Sequence, residues 1–151
     1  ALGVDDATNH GRGHRLPGMN KVSKFVLGLL LFNGVSSVGG GIALMTGLIP
    51  EQPTWVVHTD FSSLYFPGVI LLAIVGGSSL FAASAMIKRI AGWQLASILS
   101  GVIMIVWIVA EIASIRAFHF LQVIYLVTGV AVIWWTRTAD HTGTAEQRGL
   151  P

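Results

Sequence analysis

The chain alternates between long apolar runs and short segments that hold nearly all of its charge. Phe25–Ile49, Pro67–Ile87 and Ile90–Ala110 contain no Asp, Glu, Lys or Arg, and neither does the 19-residue run Phe118–Thr136. A helix needs roughly 20 apolar residues to cross a hydrocarbon core, and each run is about that long. The pattern predicts an all-α membrane protein, a four-transmembrane-helix bundle, with spans near 25–49, 67–87, 90–113 and 118–136. These lie in a transmembrane domain over 21–137, flanked by a polar N-terminal tail (1–20) and a polar C-terminal tail (138–151). The connections between the second and third spans, and between the third and fourth, are so short that those pairs must be antiparallel neighbours.

The spans differ in texture. The second half of the first is rich in small residues: Gly34, Ser36, Ser37, Gly39, Gly40, Gly41 and Gly47. Ser36/Gly40 and Ser37/Gly41 are small-xxx-small pairs, which let membrane helices approach closely. They serve either packing within the chain or docking of another subunit. Asn33, in the same span, needs a hydrogen-bond partner. Pro67-Gly68 opens the second span, where a proline's missing N–H is no loss. In the third, Trp93, Ser97, Gly101, Met104, Ile108 and Glu111 recur at helical spacing and share a face. Trp93 to Glu111 is a rise of roughly 27 Å, which puts Glu111 near one boundary of the hydrocarbon.

An ionisable residue inside a span is a functional candidate by default. For Glu111 the partners on offer are Arg116, in the following loop, and Gln122, in the first turn of the fourth span. Three readings stay open: a structural ion pair joining the two spans, a proton- or ligand-handling carboxylate, and a contact to another subunit. The external loop, 50–66, carries Trp55, Phe61, Tyr65 and Phe66, residue types that favour the membrane interface. His58 and Asp60 within it stand two apart, a spacing that suits no acid–base pair on a helix.

Charge sets the orientation. Of nine Lys and Arg residues, eight lie before the first span, after the fourth or between spans two and three, and only Arg116 lies on the other side. The positive-inside rule then places both termini in the cytoplasm (N-in/C-in), in the plasma (inner) membrane. A sequence pI near 9.4 therefore reflects orientation and gives no reason to expect nucleic acid. The first span follows a polar stretch and lacks a small-residue cleavage pattern after it, so it is expected to stay as a signal anchor.

Catalytic chemistry is hard to assemble. There is no cysteine, which removes thiol nucleophiles, disulfides and thiolate metal sites. HExxH, GxSxG and phosphate-loop patterns are absent. Gly39-Gly40-Gly41 falls inside a span, where it cannot cradle a phosphate, and His10 and His14 alone make a poor metal site. The expectation is no catalytic residue, no metal and no cofactor. No repeat relates the first two spans to the last two, which counts against an inverted-repeat transporter.

Phe66-Pro67-Gly68, Val75-Gly76, Trp93 with Ser97 and Gly101, Trp107, Glu111, Leu121-Gln122 and Gly129 together resemble a family of small bacterial four-helix integral membrane proteins of unassigned function, over roughly 34–134. In its size, four-helix plan and glycine-rich first helix the chain is also similar to accessory membrane subunits of actinobacterial lipid-import complexes. These resemblances imply a non-enzymatic accessory or stabilising subunit of a membrane assembly that moves lipid or other envelope material. Its partners would be membrane lipids and other membrane protein subunits. The alternative is a small self-assembling transporter or channel that uses Glu111.

Overall fold

The computed structural model describes residues 19–48, 63–115 and 119–147, with side chains through 114 in the second stretch and 139 in the third. Four helices account for nearly all of these residues: α1 (Lys21–Met45), α2 (Tyr65–Ile87), α3 (Trp93–Ile115) and α4 (Phe120–Gln147). Each holds a segment long and apolar enough to span a membrane. No strand occurs among the described residues. The polar N-terminal tail, most of the external loop and the loop around Arg116 lie outside them.

Caps, not hydropathy, set the ends of α1. Asn20 accepts a 2.7 Å hydrogen bond from the Ser23 N–H, so the helix starts four residues before the apolar run. It stops before that run is over. Gly47 takes φ +71°, and the Leu48 N–H reaches back to the Ala43 carbonyl at 3.0 Å, closing a Schellman turn. The turn after α2 repeats the device with a less suitable residue. The Ile90 N–H bonds the Ala85 carbonyl at 2.9 Å, while Arg89 occupies the left-handed position at φ 53°.

The helices run alternately up and down, and each packs on its two neighbours in a ring, α1–α2–α3–α4–α1. Two apolar clusters fill the interior. At the end that carries the termini, Val26, Leu30, Ala82, Ala83, Met86 and Val132 are fully buried together. Toward the opposite end, Val75, Met104 and Ile108 form the second cluster. Ser97, Gly101, Met104 and Ile108 are buried along α3, as the helical spacing of that stripe predicts. Between 28% and 39% of each apolar window is buried, and large side chains such as Phe81, Val106 and Trp134 point outward. Such an exterior suits hydrocarbon, not water.

Backbones approach most closely at two helix contacts. A Cβ on Gly41 would stand 2.6 Å from the Gly68 carbonyl oxygen of α2, and one on Gly101 would stand 2.8 Å from the Gly129 carbonyl oxygen of α4. Leu71–Gly76 within α2 is a π-helical stretch. Gly68 and Gly76 both face α1, although eight residues of regular α-helix would set them roughly 80° apart. The wider π turn takes up part of that difference.

Candidate functional site

Two groups of polar residues stand out in the spans; separate from both, the buried Thr136 Oγ1 has no hydrogen-bond partner among the described residues. One group is satisfied inside the bundle. Thr128 on α4 donates to Asn33 Oδ1 on α1 at 2.9 Å, which gives Asn33 the partner its place in a span requires. The Ser79 and Ser100 hydroxyls bond each other at 2.8 Å between α2 and α3. Ser36 donates to the Phe32 carbonyl one turn back in its own helix.

The second group gathers around a cleft of about 540 Å³ at the end of the bundle away from the termini. Its walls are apolar, with Leu44, Ile70, Leu71, Met104, Ile108 and Leu121 contributing, and the π-helical stretch begins at Leu71. Glu111, Ser114, His119 and Gln122 bring polar atoms to it, and Trp107 and Tyr125 line it as well. The volume lies in the usual range for small-molecule sites, roughly 300–1,000 Å³.

Glu111 is half-buried. Its carboxylate lies beside the Gln122 amide and the Trp107 indole, and the His119 imidazole is close enough to act on it electrostatically. Of the two expected partners, Gln122 is therefore adjacent, and Arg116 lies outside the described residues. Gln122 already has a task. Its Oε1 accepts the His119 backbone N–H at 3.0 Å, which is how an N3 glutamine caps the start of a helix. The side chain is 3% exposed, and its Nε2 has no hydrogen-bond partner. The approach of that amide to Glu111 is thus close enough for electrostatics but short of a formed hydrogen bond.

The small-residue pairs of α1 divide. Ser37 and Gly41 are buried and Gly41 meets α2 directly. Ser36 and Gly40 border the cleft, and a Cβ on Gly40 would touch only the Leu71 Cδ2 atom, at 3.4 Å. Of Gly40 and Gly41, Gly41 is the one whose Cβ position meets the α2 backbone, because adjacent residues on a helix point about 100° apart. Trp107, His119 and Tyr125 carry no motif that marks them as cleft residues. Only their helical offsets from Glu111 and Gln122 could have found them. Among the described residues, no three of His, Cys, Asp and Glu stand together as a metal site would need.

Four helices, each long and apolar enough to cross a membrane, closed into a ring with large hydrophobic side chains outward, have the character of a multi-pass α-helical membrane protein. No family model, curated protein or solved structure is significantly similar to the chain.

Proposed function

We propose that the chain is a non-enzymatic component of a larger assembly in the plasma membrane, with both termini cytoplasmic, stabilising machinery that moves lipid or other envelope material. The observation that carries this reading is a pair of glycines on the outer face of α1. Gly28 and Gly39 are exposed, and a Cβ on either would meet nothing within 4 Å. They stand eleven residues apart, about three helical turns, on one face with Val35. Glycine inside a helix costs about 1 kcal/mol relative to alanine, and here no contact among the described residues offsets that cost. Close approach by a helix of another subunit does.

The interior agrees with a role other than solute passage. At the terminal end Val26, Leu30, Ala82, Ala83, Met86 and Val132 close the bundle, and the polar pairs beyond them are bonded to each other. The test is purification from native membranes in a gentle detergent, with subunit composition and mass measured. The proposal expects other membrane proteins in fixed ratio, lost from Gly28→Leu and Gly39→Leu chains that keep their helicity. Recovery of the chain alone, or as copies of itself, contradicts it. The second reading, a self-assembling transporter, is favoured by the position of Glu111 on the cleft. It requires self-assembly and a folded but inactive Glu111→Gln protein.

A further inference from the structure

The cleft brings together a carboxylate, uncharged donors and apolar walls inside a membrane span. Gln122 and Trp107 flank the Glu111 carboxylate, and neither carries charge; the His119 imidazole also faces it. A carboxylate drawn into a low-dielectric region is costly unless it holds a proton or a cation completes it. Gln122 adds a second sign of something missing, because its Nε2 is a buried donor with no formed hydrogen bond, although the Glu111 carboxylate lies beside it. Such groups are rare in native structures, and each calls for an explanation.

We propose that the cleft binds a membrane amphiphile whose head carries an ammonium group beside a hydroxyl or ester oxygen. The ammonium lies against Glu111, where charge assistance makes the hydrogen bond roughly twice as strong as a neutral one. The neighbouring oxygen accepts from Gln122 Nε2. Trp107 and Tyr125, which line the same space, suit a cationic head further, since aromatic faces attract cations. The aliphatic chain follows the apolar wall of Leu44, Ile70, Leu71 and Leu121. An anionic head would meet Glu111 with like charge. A neutral head would give the ionised form of Glu111 no counter-charge, and the carboxyl would keep a proton instead. Selectivity therefore resides in Glu111, and capacity for the chain resides in the wall. The inference stands whether or not the chain has partner subunits.

The experiment uses the full chain in phospholipid nanodiscs. A long-chain vicinal amino alcohol bearing a photoreactive diazirine on its chain is crosslinked to the protein, and the sites are mapped by peptide mass. Unlabelled amino alcohol, the vicinal diol of the same chain and the alkanoate of the same chain compete. Expected are saturable crosslinks around Leu44 and Leu71, and about tenfold tighter competition by the amino alcohol than by the diol, roughly 1.4 kcal/mol. In Glu111→Gln that preference disappears while competition by the diol is unchanged. In Gly40→Leu, where the new side chain enters the cleft, both compounds compete more weakly. Circular dichroism confirms that each variant is folded. Unsaturable labelling spread over the outer faces of the helices means partition into the bilayer only and overturns the proposal. Equal competition by the diol, or a preference that survives Glu111→Gln, also overturns it. So does a preference that emerges only in Arg116→Gln, because Arg116 would then be the cation that Glu111 already has.

Discussion

Gly39, Gly40 and Gly41 are consecutive, yet alanine at each should have a different effect. At Gly41 the new Cβ would lie 2.6 Å from the Gly68 carbonyl oxygen, 2.7 Å from the Leu72 Cβ and 3.0 Å from the Leu72 nitrogen. Two of these are backbone atoms of α2 and cannot rotate aside, so α1 and α2 must separate. Overpacking of this kind costs about 1–3 kcal/mol. At Gly39 the Cβ meets nothing within 4 Å. Only the better helix propensity of alanine remains, up to about 1 kcal/mol in its favour. Gly40→Ala should lie close to Gly39→Ala, because the Leu71 Cδ2 at 3.4 Å is the end of a flexible side chain. Both substitutions share the propensity gain, so the gap between Gly39→Ala and Gly41→Ala isolates the clash at about 1–3 kcal/mol. The assay is equilibrium unfolding in mixed micelles as the denaturing detergent fraction rises, followed by far-ultraviolet circular dichroism. Equal midpoints for the two variants would refute close packing of α1 on α2 at Gly41.

Other expectations follow from single contacts. A double-mutant cycle on Ser79→Ala and Ser100→Ala should return a coupling of about 0.6 kcal/mol and not above about 1.7, the usual range for membrane hydrogen bonds; the same unfolding assay reads it. Gln122→Leu should destabilise by about 1 kcal/mol through loss of the α4 cap. Gln122→Glu keeps a cap oxygen but should also be less stable than wild type, because it sets a second carboxylate beside Glu111.

Number, order and rough extent of the helices were legible in the sequence because hydrocarbon imposes a length and excludes charge. The ends of α1 were shifted by residues that hydropathy ignores. Asn20 starts the helix early by capping it, and Gly47 halts it while the apolar run continues. The inward stripe of α3 followed from its spacing. The two faces of the α1 glycine cluster did not, because composition alone cannot say which glycine meets a neighbouring backbone. Gly41 does, Gly40 borders the cleft, and Gly39 faces outward. At the cleft, Glu111 and Gln122 stood out as polar residues in apolar runs. The dual position of Gln122, with Oε1 committed to the helix cap and Nε2 left over, depends on His119 serving as the N-cap residue. Histidine is an uncommon choice there, and the usual Ser/Thr-x-x-Glu/Gln signature is missing.

All of this presumes that the four helices cross a membrane, with the termini and the turn after α2 on one side and the cleft on the other. The absence of cysteine permits a direct measurement, since one introduced thiol is the only one present. Ser63→Cys, Lys88→Cys and Thr138→Cys chains are expressed separately in intact cells and exposed to a maleimide that cannot cross membranes. Only Ser63→Cys should be labelled from outside, with Lys88→Cys and Thr138→Cys reacting once the membrane is opened. External labelling of Lys88→Cys or Thr138→Cys in sealed cells, or opposite sidedness of those two, would contradict the account.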